Sequence, residues 1–175
     1  FPYDKKEFLN LLNDITINPK IAKYVAESIK YFVYYVEVTP CLINVLFLIE
    51  HILPIIKSPR GIQDAIQSMT YIVNSDPLNY DCIIRCELMH TFAQLLNQFY
   101  LNNYQYYKSP IIDFFNFIKL SFDQINQQLK KQTMKIIGFS TFAYIFNEIR
   151  DDQINLSIYK IIFHQLQTHF NITDE

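Results

Sequence analysis

Cys82, Cys86 and His90 are the residues of this chain best suited to hold a metal, at positions i, i+4 and i+8 of one predicted helix. Soft ligands four residues apart can chelate an ion such as zinc. At a rise of 1.5 Å per residue, however, the first and third lie about 12 Å apart, so one ion cannot take all three. Cysteine also behaves as a small buried hydrophobe, and the stripe shares its face with Met89 or Ala93. Packing is therefore its expected role. Glu50 and His51 suggest an acid–base pair, but adjacent helical residues do not face each other. A structural hydrogen bond is expected for His51 instead. His164 and His169 stand five apart, a poor chelating interval, and read as surface residues. Asp151-Asp152 reads as a helix cap placed favourably at the dipole. Glu87, Asp113, Asp123 and Glu148 are dispersed over polar faces. Neither Gly-x-Ser-x-Gly nor His-Glu-x-x-His occurs, and no phosphate-cradling loop is present. The expectation is a protein without catalytic residues, metal or cofactor.

Three groups have the chemistry of a contact surface instead. Tyr100, Tyr104, Tyr106 and Tyr107, ending in Lys108, form an aromatic run read as the longest loop, over 101–108. Tyrosine offers a large rigid area with a hydrogen-bonding tip. Tyr31, Tyr34 and Tyr35 form a second cluster, in which Tyr31 and Tyr35 share a helix face with Ser28. Lys130, Lys131 and Lys135 make a small basic spot, either a solvated helix face or a seat for an acidic peptide or phospholipid headgroup. The predicted partner-binding residues are Tyr31, Tyr35, Tyr104, Tyr106, Tyr107, Lys130 and Lys131.

Composition narrows the partner class. Half of the 175 residues are hydrophobic and 18% are charged, which excludes a disordered chain. A net charge of −2 gives no electrostatic reason to bind nucleic acid. Three cysteines form no disulfide framework, so a reducing intracellular compartment, cytoplasmic or nuclear, is expected. The most membrane-like stretch, 31–56, is interrupted by Glu37, Pro40, Asn44, Glu50 and Pro54, so no spanning helix is expected. Peripheral membrane contact through the basic spot stays open. Two glycines in the whole chain argue against sandwiches and barrels.

The elements that would position these groups are marked by proline. Asn18-Pro19, Thr39-Pro40, Ser58-Pro59, Asp76-Pro77 and Ser109-Pro110 each set a capping side chain before a residue with a preset helical φ. Each pair precedes an apolar run of helical period. The expected helices are a short one capped by Asp4, then those opened by the first three pairs. A fifth starts near Asn79 and reaches Phe99 or Tyr100. The sixth follows Pro110, and the seventh runs over 129–149 with Gly138 inside it, where a small residue permits close approach. The eighth starts at Asp151 or Asp152 and frays from Asn171. In the helix after Pro19, Ile21, Val25, Ile29, Phe32, Val33 and Val36 read as core.

About eight antiparallel helices make a single all-α domain over 1–175, or a fragment of a longer array. Helix pairs at about 40 residues resemble armadillo and HEAT repeats, across Asn18 to about His169. That resemblance implies a right-handed superhelix whose neighbours stack to bury each other's faces. It further implies a protein–protein scaffold, a subunit of a larger assembly. A compact bundle of VHS or cyclin-like type has the same helix lengths. The stretch Glu7-Phe-Leu-Asn-Leu-Leu-Asn-Asp-Ile-Thr16 is similar to the opening helix of CTD-interacting domains. The alternative expectation is thus a peptide- or lipid-recognising adaptor of VHS, ENTH or CTD-interacting type.

Overall fold

A computed structural model describes residues 18–170, with side chains described as far as Gln167. The helix expected after Asp4, the stretch resembling CTD-interacting domains and the tail from Asn171 lie outside the described residues. Every regular element among the described residues is helical. The α-helices are α1 (Pro19–Tyr35), α2 (Leu42–Ile52), α3 (Pro59–Ser75), α4 (Asn79–Arg85), α5 (Leu88–Leu95), α6 (Tyr104–Phe122), α7 (Gln127–Ile137), α8 (Phe139–Tyr144) and α9 (Asp152–Phe170), with short 3-10 or π segments at Thr39–Cys41, Leu96–Tyr100, Leu101–Asn103 and Ile145–Ile149. The all-α reading holds.

Most of the proline signals mark helix starts. The Asn18 side chain accepts from the Lys20 amide and Ser58 from the Gly61 amide, each just ahead of proline at the first helical position. Thr39-Pro40 opens a 3-10 turn that leads into α2, without a side-chain cap. Asp76 accepts from the Leu78 amide in the turn before α4. Ser109-Pro110 departs from this pattern: Pro110 sits inside α6, which starts six residues earlier, in the segment expected to be a loop. Proline there deprives the Tyr106 carbonyl of its helical donor. Tyr106 is exposed, so water can satisfy that carbonyl. Tyr104 and Tyr107, on the same turns, pack on the core and hold the segment helical.

Two expected long helices are split. Glu87, at φ 61°, separates α4 from α5, and Gly138, at φ 84°, separates α7 from α8. Gly138 is needed for its backbone angle, not for close approach, since a Cβ there would meet only Ser140 Oγ at 3.8 Å. The close approach falls at Gly61 instead. A Cβ on Gly61 would lie 2.7 Å from Ile56 Cγ2 and 3.2 Å from Lys23 Cγ, so α1 and α3 meet where a side chain is missing.

The four longest helices build one layer. α1 packs on α3, α3 on α6 and α6 on α9. They begin at Pro19, Pro59, Tyr104 and Asp152, intervals of 40, 45 and 48 residues. Inter-helix contacts run in register: Lys30 meets Asp64 and Tyr34 meets Tyr71; Gln63 meets Asp113 and Asn74 meets Gln124. At the last joint Lys108 meets Asp151 and Phe122 meets His164. The long helices are therefore parallel, and the chain between them must return. Among those connecting helices α2 contacts α5, and α5 contacts α7, giving a second layer. Phe92 on α5 stacks on Phe114 of α6 at 3.9 Å between ring centroids. Tyr80 on α4 lies 6.0 Å from Phe117 of α6 and shares a 2.7 Å hydrogen bond with Thr133 of α7. No described helix is long and apolar enough to cross a membrane.

Candidate functional site

The Cys82–Cys86–His90 stripe, expected to pack, is not one continuous helix face. α4 ends at Arg85, and the left-handed Glu87 stands between Cys86 and His90. Cys86 is buried while His90 is exposed. Among the described residues no group of three or more His, Cys, Asp or Glu is placed to hold an ion. Glu50 accepts from the Thr91 hydroxyl at 3.1 Å. His51 is half-buried, and its Nε2 is buried without a hydrogen-bond partner, so the structural bond expected of it is not made at that atom.

The tyrosine run divides between packing and display. Tyr100 is buried against the Phe92 and Tyr107 rings. Tyr104 and Tyr107 are half-buried on the core, and the Tyr107 hydroxyl donates to the Lys57 carbonyl at 3.2 Å. Burial, then the neighbouring Tyr106, pushes the Tyr107 hydroxyl above its ordinary pKa. Tyr106, edge-on to Tyr107, is the member of the predicted trio that faces solvent.

The basic spot is also divided. Lys131 and Lys135 are exposed, but Lys130 is buried, with its Nζ 3.2 Å from His164 Nε2. Burial holds the Lys130 ammonium below its ordinary pKa, against the opposing pull of Asp123. His164, expected at the surface, is instead half-buried, its Nε2 3.2 Å from the Phe122 carbonyl and its Nδ1 3.6 Å from Asp123. Three lysines cannot therefore act as one headgroup seat.

The most unusual surface belongs to α1. Inward it turns Ala22, Ala26, Ile29, Lys30 and Val33. Outward it turns Tyr24, Tyr31, Phe32, Tyr34 and Tyr35, with Tyr31 and Tyr35 exposed by 53% and 76%. An amphipathic helix normally keeps its outer face polar. Lys30 can point inward because Asp64 of α3 meets it at 2.7 Å, and its ammonium lies 4.8 Å from the Tyr31 ring centre. Tyr34 touches both Tyr35 and Tyr71, so the cluster is braced. Beside it, Ile21, Tyr24, Phe32, Val45 and Leu48 line an open apolar groove of about 460 Å³ between α1 and α2. Ile21, Phe32 and Val36, read as core, are exposed. The outward set Ile21, Tyr24, Ser28 and Phe32 also steps by three or four, so the α1 sequence carries two apolar stripes. Lys30 in the middle of the inner one hid which faced inward.

Asp151 supplies the cap expected for the last helix. Its carboxylate accepts from the amides of Gln153 and Ile154 and from Lys108 Nζ, at 3.0, 3.1 and 2.7 Å. Burial pushes its pKa up, but Lys108 and the two amides outweigh that and hold it below the usual carboxylate value. A depressed folded pKa gives stability that is full above the unfolded value of about 3.9 and lost as pH falls through the folded one. Asp151→Ala is expected to cost about 1–2 kcal/mol at neutral pH. Its loss of stability below about pH 4 should be shallower than that of the parent chain. Urea midpoints measured from pH 7 to pH 2 check both; unchanged acid sensitivity would leave Asp151 without this role.

No protein-family model, no curated protein and no solved structure matches the chain.

Proposed function

We propose that the chain is a non-catalytic interaction module, a helical-repeat scaffold of armadillo/HEAT kind that binds another protein within a larger assembly. The reading rests on the exposed aromatic face of α1. Exposed apolar area has a hydration cost with no folding benefit, and contiguous patches of this type mark interaction sites. Tyr24, Tyr31 and Tyr35 put hydroxyl tips on that patch, the composition favoured at interface centres. The parallel long helices at 40- to 48-residue intervals support the repeat reading. The three cysteines, none of them in a disulfide and all at least half-buried, suit a reducing compartment. The adaptor reading is weaker because its basic spot has lost Lys130 to the interior.

Replacing Tyr31 and Tyr35 together tests the reading. Two interface tyrosines at about 1 kcal/mol each predict a roughly 30-fold fall in affinity for a partner captured by the parent chain. The melting temperature of Tyr31→Ala/Tyr35→Ala should stay within about 2 °C, since both side chains are largely solvent-exposed. Equal capture by both chains would remove this face as the binding surface. A large drop in melting temperature would make the two rings structural.

A further inference from the structure

The other edge of the long-helix layer carries a stripe that reads the same from either end. On α9, Leu156, Tyr159, Phe163 and Leu166 are exposed by 54%, 55%, 56% and 47%. Their steps of three, four and three residues put them on one helix face, the seam spacing of paired helices. The order is leucine, aromatic, aromatic, leucine. Positions 156 and 166 are centred on residue 161, and so are positions 159 and 163. Ile161 itself is buried on the opposite side of the helix, so the centre of the stripe is open. We propose that this stripe pairs α9 with α9 of a second copy, antiparallel about a two-fold axis at the level of Ile161.

Such an operation places each Leu156 on Leu166 of the other copy and each Tyr159 on its Phe163. That self-matching is what a two-fold contact requires, and an unrelated partner would have no need of it. None of the four stripe residues is charged; Lys160, exposed on the flank beside the axis, can turn its ammonium out to solvent. Tyr159, Ile162, Phe163 and Leu166, with Lys160 at the edge, line a largely apolar depression of about 540 Å³, a hole for the knob of the facing helix. Tyr159 is also held from behind: its ring stacks on Phe146 at 4.9 Å and 23°. Little side-chain freedom is therefore lost there on pairing.

Area sets the strength. Four half-exposed large side chains offer about 100 Å² each, hence about 400 Å² per copy, roughly half of what each partner contributes to a standard interface. The dimer is accordingly weak and concentration-dependent.

Sedimentation velocity on the full chain, from about 5 to about 500 µM, covers the range where a contact of this size assembles. The parent chain should shift from monomer towards dimer, and Leu166→Glu should remain monomeric throughout with unchanged helix content. Leu156→Lys alone should also weaken pairing. Leu156→Lys/Leu166→Glu should regain it, because the two-fold axis brings the introduced opposite charges together. Tyr31→Ala/Tyr35→Ala should dimerise like the parent, which separates this contact from the α1 surface. A parent chain monomeric at the highest concentration overturns the proposal. So does a Leu166→Glu chain that dimerises normally, or a charge-paired double variant that does not recover.

Discussion

Lys30→Met is expected to lower stability by about 3–5 kcal/mol, the cost of leaving one member of a buried ion pair without the other. Lys30 and Asp64 side chains are 7% and 3% exposed and meet at 2.7 Å. The nearest substitute cation, Arg60, stands 3.6 Å from the same carboxylate oxygen, but its side chain is 66% exposed and largely hydrated. It can soften the loss without replacing an ammonium inside the α1–α3 joint. The double variant Lys30→Met/Asp64→Leu should recover most of the stability, since a buried pair can often be exchanged for apolar residues of similar volume. Urea midpoints of the two variants decide it. A loss below about 1 kcal/mol for the single change would mean that Arg60 or water satisfies Asp64.

Phe114→Ala is the second large effect. Phe114 is fully buried in α6, stacked on Phe92 of the other layer and tilted 54° against Phe115. Truncation leaves a ring-sized cavity between layers, with an expected cost of about 3–5 kcal/mol. For a chain of this length that is a fall in melting temperature of roughly 10 °C or more. Phe114→Leu, which keeps most of the volume, should lose much less. A fall of only a few degrees for the alanine variant would show that the layers collapse into the space.

Much of the architecture is legible in the sequence because its signals are local. Asn18 and Ser58 do cap, and the proline beside each lies at a helix start, since both effects act within one turn. The Ser109-Pro110 pair misleads because tertiary burial of Tyr104 and Tyr107 outweighs one missing amide. Glu87 is hidden because nothing in its type announces a positive φ, whereas Gly138 does carry that signal, alongside the equally plausible one of small size. The surfaces are harder to read. Tyr31 and Tyr35 are placed outward as expected, but Tyr104 packs on the core, and Tyr107 and Lys130 are drawn inward by partners 50 and 34 residues away. Spacing along one helix does not reveal which neighbour it will meet.

The parallel course of α1, α3, α6 and α9 gives the molecule an electrical polarity. Each helix start carries about half a positive charge and each end about half a negative one, and four starts point the same way. Shorter return helices offset part of this field. Ionised side chains answer part of the remainder: Asp151 stands just before the first turn of α9, while Lys119 lies in the closing turn of α6, with the Lys130–His164 pair beside it. Acid at the opening of α9 and base at the close of α6 complement the dipoles of those two helices, whereas α1 and α3 carry neither, so the outer half of the layer keeps its polarity.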